Sequence, residues 1–215
     1  MKKLLLTIAL AFLIVLPTFS AENISTSQLN KQGWEYIKQN NYDSAFNSFS
    51  KIYKLAKTQE DYSYVLYGFL ELIKNENIPS VLRVDLCLML TSKDFTSKIT
   101  DDKLSNINFA IWFKMINILS KTSPNDMTFT ELMKEDKQTV LSDYKIMYLS
   151  GIKEAKTPNQ LAISRLYYAL YKYSIGSNTA IDDIEKELNN IANRGTKYDY
   201  DSTKELVNLV LNWCK

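Results

Sequence analysis

The side chains of this sequence best suited to chemistry are two cysteines and three short groups of carboxylates. The chain contains no histidine, which removes the commonest general base and metal ligand of proteins. A Ser-His-Asp or Cys-His site therefore cannot form, and two cysteines are too few for a structural zinc site, which needs four ligands. No two glycines lie close enough to build a phosphate-binding loop. We expect neither a cofactor nor a metal.

Acid–base catalysis by paired carboxylates is the chemistry that remains open. The pairs are Asp101–Asp102, Asp182–Asp183, and Glu185 with Glu187. Acids in the first turns of a predicted helix, such as Asp182 and Asp183, complement the helix dipole, and this favours a structural role. We therefore predict that the protein is not an enzyme. The alternative is an enzyme, or an enzyme accessory, that acts on cell-wall glycan through Glu or Asp.

The N-terminus has the pattern of a secretory signal peptide. Lys2 and Lys3 precede an uncharged apolar stretch from Leu4 to Leu16, and small residues follow up to Ala21. An uncleaved anchor is the weaker alternative, since a membrane span needs about 20 apolar residues and Pro17 interrupts this stretch. We predict a signal peptide at residues 1–21, no stable membrane span after its cleavage, and a protein in the bacterial periplasm or outside the cell.

The charge of the chain bears on its partners. The sequence has 26 basic and 24 acidic residues, and loss of the leader would leave 24 of each. A neutral chain argues against nucleic acid, whose binding proteins usually show a strongly basic face. It also argues against tight electrostatic binding to anionic membrane.

If the protein is exported, its two cysteines could form a disulfide bond. An oxidising compartment would permit a bond between Cys87 and Cys214, provided that the fold brings their Cα atoms within about 7 Å. The alternative is that Cys87, which lies in the apolar run 86–90, is a small core residue. The sequence leaves both interpretations open.

The elements that must position these residues are helices. Five glycines, four prolines and no Asn-Gly or Asp-Gly pair leave little material for hairpins. Helical spacing and capping signals predict about ten helices, near residues 27–39, 42–57, 60–74, 79–91, 102–120, 138–156, 158–176, 181–195 and 202–213, with a further short helix that opens at Thr128. No linker divides them, so we predict one all-α domain over residues 22–215.

Two features of these helices are specific. The helix over 102–120 is apolar nearly all round, which is typical of a central buried helix. Capping boxes are predicted at Thr157, at Thr128 and at Ser202, each followed three residues later by Glu or Gln.

Residues 26–59 resemble a tetratricopeptide repeat, a pair of antiparallel helices of about 34 residues. The match rests on a small residue in the first helix and on aromatic and alanine positions in both, namely Gly33, Tyr36, Tyr42, Ala45, Phe49 and Ile52. Ile52 departs from the pattern, which usually has alanine there. Later matches, at Gly68 and at Gly151, are partial.

The resemblance implies an α-solenoid of antiparallel helix pairs that binds a peptide or protein partner. A plain α-bundle with one such hairpin is the alternative fold. The function implied is an exported, non-catalytic interaction protein in envelope assembly, secretion support, or inhibition of or immunity to a toxin. A purely structural envelope component is a third option.

Tyrosines are candidates for the partner-binding surface, because tyrosine is enriched in interface hot spots. The candidates are Tyr168, Tyr171, Tyr198 and Tyr200. Since the chain contains 14 tyrosines, packing between helices is the favoured alternative.

Overall fold

The computed structural model describes residues 24–100, 104–122 and 137–215, and within these ranges it contains helices and connecting turns without a strand. The described chain is all-α, as predicted. Its ten helices are α1 (Thr26–Lys38), α2 (Tyr42–Leu55), α3 (Gln59–Lys74), α4 (Ser80–Leu90), α5 (Lys93–Thr96), α6 (Leu104–Lys121), α7 (Lys137–Glu154), α8 (Pro158–Ser174), α9 (Ala180–Arg194) and α10 (Lys197–Trp213).

The local signals explain where most of these helices begin. Thr157 caps α8 in the predicted box with Gln160. Ser202 does not open the last helix as predicted, because Thr196 forms a box with Asp199 and caps α10 six residues before Ser202. The short helix α5 was not predicted. The leader, Asp101, Asp102 and the predicted box at Thr128 lie outside the described residues.

The first three helices close around one aromatic ring. Phe49 of α2 is fully buried, and a Cβ atom on Gly33 of α1 would lie 2.6 Å from its Cζ. A Cβ on Gly68 of α3 would also collide with this ring. The two glycines therefore let α1 and α3 approach Phe49, and Trp34 and Phe69 complete its surroundings at 6.0 and 6.2 Å between ring centroids.

The other residues of the tetratricopeptide resemblance lie in the same region. Ala45 and Ile52 are fully buried. Tyr36 and Tyr42 are partly buried against the same core. Asn40 makes the turn between α1 and α2 with a φ of 57°, a left-handed conformation that asparagine tolerates better than most residues.

Helix α6 packs into two hydrophobic clusters, and this accounts for its apolar composition. One side of α6, including Ile107, Ile111 and Met115, packs into the cluster built from α1–α5. Another side, with Ala110, Phe113 and Ile116, packs into the cluster built from α8–α10. A helix covered on two sides needs apolar residues on both, and the predicted central position of this helix agrees with the structure.

The remaining helices surround α6 on its second side. Helices α7, α8 and α10 each pack against α6, and α9 packs against α8 and α10. A Cβ atom on Gly151 of α7 would lie 3.7 Å from Ser164 Oγ, an ordinary contact distance. The close approach seen at Gly33 and Gly68 is therefore not repeated there. None of the described helices is both long and apolar enough to cross a membrane.

Candidate binding pocket

A pocket of about 460 Å³ opens where the C-terminal ends of α6, α8 and α10 meet. Its volume falls within the range of about 300–1,000 Å³ that is typical of ligand sites. Another pocket, beside the α1–α2 turn, has only about 240 Å³. The larger pocket is lined by Asn117, Ser120, Lys121, Tyr173, Ile175, Gly176, Ser177, Asn178, Ile181, Cys214 and Lys215.

The turn after α8 forms the apolar wall of the pocket. Gly176 has a φ of +88°, a left-handed conformation that glycine adopts readily. The Ser177 N–H donates to the Lys172 carbonyl at 2.9 Å, which closes the helix in the manner of a Schellman motif. The turn leaves Ile175 and Ile181 well exposed, at 39% and 46%, on the rim of the pocket.

Asn117 ties the three helix ends together. Its Nδ2 donates to the Ser174 carbonyl at 3.0 Å and to the Cys214 carbonyl at 3.3 Å. These carbonyls belong to the ends of α8 and α10, where helices leave acceptors without a partner in the helix. Asn117 Oδ1 is buried and has no hydrogen-bond partner among the described residues.

Lys121 stands at the mouth of the pocket and holds two acceptors. Its ammonium donates to Glu76 Oε1 and to the Lys215 carbonyl, each at 3.2 Å. The hydrogen bond from Lys121 lowers the pKa of Glu76, and the charges of Lys114 and Arg83 lower it further. Glu76 is thus paired with Lys121, while Lys114 and Arg83 act on it only through their charges.

Two of these three cations are buried. Lys114 is 3% exposed and Arg83 is 8% exposed, and burial lowers the pKa of both. Arg83 Nε has no hydrogen-bond partner among the described residues. The ammonium of Lys114 takes part in none of the hydrogen bonds or ion pairs found there, and burial is the largest influence on its pKa.

The two cysteines are close enough to these cations for their charges to act on the thiols, Lys114 and Arg83 on Cys87 and Lys114 and Lys121 on Cys214. Both are buried, and both are free thiols in the structure rather than a disulfide. Burial raises the pKa of Cys87, and it raises the pKa of Cys214 to about 11. Since thiolate is the nucleophile, these thiols fit the interpretation of cysteine as a core residue. The disulfide stays a prediction for the oxidised protein.

The four candidate tyrosines do not form one surface. Tyr171 is 4% exposed, and its hydroxyl donates to the Leu141 carbonyl at 3.0 Å. It packs in the core and does not offer a contact surface, because α7 covers it. Tyr168 stacks on Tyr171 with 6.1 Å between ring centroids, and Tyr200 is partly buried. Tyr198 is 79% exposed.

Among the carboxylates singled out from the sequence, Asp183 and Glu187 have structural partners, whereas Glu185 is exposed on α9. Asp182 and Asp183 lie in the first turn of α9, and Asp183 pairs with Lys172. Glu187 is buried and accepts from Asn190 at 2.9 Å. Within the described part of the chain, no group of three Cys, Asp or Glu side chains is placed to hold a metal ion.

Cys214 apart, the residues of the pocket and the neighbouring Lys114 and Arg83 were not recognised as site residues from the sequence. Lys114, Asn117 and Lys121 are polar positions in the apolar helix α6, separated by three and four residues, and therefore lie on one face. That spacing is the signal that points to them. Arg83 gives no comparable signal, since its place beside α6 depends on how α4 packs.

The described residues define an all-α protein with a cationic cluster beside a pocket at three helix ends. Comparison of the chain with protein-family models, with curated protein sequences and with solved structures found no match. The proposals below therefore rest on the residues of this chain.

Proposed function

We propose that this chain is an exported, non-catalytic helical-repeat protein that binds a peptide or protein partner in the periplasm or cell envelope. Its roles would be envelope assembly, secretion support, or inhibition of or immunity to an exported toxin. Export is supported by the basic start and the apolar stretch of the leader.

Packing around Phe49 supports the helical-repeat part of the proposal. The resemblance to tetratricopeptide repeats makes Gly33 the small residue that lets the second helix approach. A Cβ atom there would collide with Phe49 of that second helix. Gly68 contacts the same ring from α3, which supports a second, divergent helix pair stacked on the first.

The lining of the large pocket is the observation that carries the binding part of the proposal. The pocket combines exposed apolar side chains, Ile175 and Ile181, with polar groups from Asn117, Ser177 and Lys121. Apolar walls with a few placed polar groups are typical of ligand sites. The lining holds neutral and cationic side chains, whereas hydrolysis of a glycan ordinarily uses a pair of carboxylates.

A pull-down with the mature protein, residues 22–215, from the native envelope tests the proposal. The wild type is compared with Ile181→Asn in the pocket and with Leu55→Asn, an apolar residue of similar exposure, 46% against 52%, on α2. We expect one protein to be retained by the wild type and by Leu55→Asn, and to be lost with Ile181→Asn.

Calorimetry with the purified partner then measures the affinity of each variant. Tyr36→Ala and Tyr168→Ala report whether the helix packing near these rings matters for the same interaction. Recovery of no specific protein, together with measurable turnover of cell-wall glycan, would overturn the proposal in favour of the enzyme.

A further inference from the structure

We propose that the pocket at the ends of α6, α8 and α10 takes an acidic peptide segment. A carboxylate of that segment would bind Lys121, and an adjacent aliphatic side chain would pack on Ile175 and Ile181. This inference rests on the proposed function, because it names the chemistry of the partner at that site.

Lys121 has a hydrogen-bond donor left for the ligand. An ammonium carries three donors, and two of them are engaged by Glu76 Oε1 and the Lys215 carbonyl. The side chain is 50% exposed and lines the pocket. The third N–H can therefore bind a carboxylate that enters the pocket without breaking the existing bonds.

The charge around the pocket favours an anion. Arg83, Lys114 and Lys121 act on the single carboxylate of Glu76, which leaves two positive charges unbalanced. The C-terminal ends of α6, α8 and α10 each add about half a negative charge, and Lys137 adds one positive charge at the end of α6. The surplus is about one and a half positive charges, and burial of Lys114 and Arg83 reduces its screening by salt.

The carbonyl groups at the helix ends do not reverse the preference of the pocket for an anion. Asn117 already donates to the Ser174 and Cys214 carbonyls. The end of α6 is held in the same way by Lys137, whose ammonium donates to the Ser120 and Thr122 carbonyls. Each of these carbonyls already accepts a hydrogen bond, which weakens its attraction for a cationic ligand.

A peptide fits the site better than a small anion does. Ile175 and Ile181 form an exposed apolar wall beside Lys121, and an inorganic anion has nothing to place against it. A peptide brings an aliphatic side chain as well as a carboxylate, and can therefore cover the apolar wall and bind Lys121 at the same time.

Three matched peptides test the inference by nuclear magnetic resonance titration of the mature protein. The first is Gly-Gly-Ile-Ile-Glu with a free C-terminal carboxylate. The second replaces Glu by Gln and has an amidated end, and the third replaces Glu by Lys with the same end. We expect the acidic peptide to shift the amides of Asn117, Ile175 and Ile181, with an affinity at least about tenfold above that for the neutral peptide. We expect no binding of the basic peptide.

Two variants and one small anion make the outcome specific. Lys121→Met should abolish the preference for the acidic peptide, whereas Lys186→Met, at an exposed position of α9, should keep it. Sodium acetate should shift these amides only at much higher concentration.

Each failure has its own meaning. If the three peptides bind equally, or acetate binds as well as the acidic peptide, the inference is wrong while the pull-down partner still supports the proposed function. Absence of any shift in the pocket at millimolar acidic peptide also overturns the inference. Loss of the pull-down partner as well would remove the proposed function on which it rests.

Discussion

Phe49 lies so close to Gly33 that a Cβ atom on the glycine would sit 2.6 Å from the Phe49 Cζ. Gly33→Ala should therefore destabilise the protein by about 1–3 kcal/mol through overpacking. The matched control is Gly151→Ala, where the nearest atom is 3.7 Å from the new Cβ. That change should be neutral or stabilising by up to about 1 kcal/mol, because alanine is the better helix former.

Urea unfolding of the two glycine variants measures both effects. Combining Gly33→Ala with Phe49→Leu should show a coupling free energy, since the smaller side chain makes room for the methyl group. A Gly33→Ala variant as stable as the wild type would contradict the close packing of α1 on α2.

Asp61 should make stability depend on acid pH. Burial alone would raise its pKa, but hydrogen bonds from the Lys57 and Thr58 amides and from the Thr26 and Thr58 hydroxyls outweigh burial and lower the pKa to about 2. The pKa of this carboxyl in the unfolded chain is about 3.9. The contribution of Asp61 is therefore present above the unfolded pKa and is lost as the pH falls from about 4 towards 2.

Asp61→Asn should lower the free energy of unfolding by about 1 kcal/mol at pH 7. The difference from the wild type should vanish at about pH 2. Chemical unfolding across this pH range provides the measurement. Asp201→Asn, an exposed carboxylate on α10, controls for the loss of one negative charge. A difference that persists undiminished in acid would contradict the hydrogen-bonded carboxylate.

Lys114→Met should leave stability unchanged or raise it by about 1 kcal/mol at pH 7. It removes a buried charge that no acid contacts directly, and apolar replacements of buried charges are often neutral or stabilising. Because burial lowers the pKa of Lys114, the unfolded state holds this proton to higher pH than the folded state. Wild-type stability should therefore rise as the pH increases towards the unfolded pKa of about 10.4.

The advantage of Lys114→Met should shrink over the same range, which unfolding between about pH 7 and 9.5 would measure, below the titration of ordinary tyrosines. Lys186→Gln serves as the exposed control. Parallel pH profiles for the wild type and Lys114→Met would show that the lysine is not desolvated.

Thr157→Ala should cost about 1 kcal/mol by removing the cap of α8. Thr157 accepts from the Gln160 amide at 3.1 Å, and Gln160 accepts in return from the Thr157 amide at 3.2 Å. Thr179 occupies the same position before α9 and makes no capping bond, so Thr179→Ala should cost much less. Thermal unfolding compares the two, and equal losses would contradict the capping argument.

The thiols of Cys87 and Cys214 should resist modification in the folded protein, because both are buried and burial raises the pKa of each. Two thiols should react in denaturant. Mass spectrometry without reduction, on protein from its native compartment, distinguishes this state from the disulfide that export permits. An intact mass lower by two hydrogens, with no reactive thiol, would establish the bond.

Local sequence determined the class of the fold and most of its boundaries. Periodicity and capping signals act within a few residues, so α1–α4 and α6–α9 begin and end close to their predicted positions. The exceptions are α5, which was not predicted, and α10, which begins earlier because the chain offers two capping boxes and the sequence does not say which one is used. The all-round apolar character of α6 was enough to predict a central helix.

Only the tertiary structure decided what meets at the pocket. Asn117, Ser174 and Cys214 are joined by hydrogen bonds across 57 and 97 positions of the chain. Arg83 and Glu76 reach the same place from other parts of the chain. The helical period shows which residues share a face of one helix. The packing of whole helices decides which faces of different helices come into contact. Tyr171 shows the same limit, since the sequence left it a candidate for a binding surface as well as for packing between helices, and the structure buries it against α7.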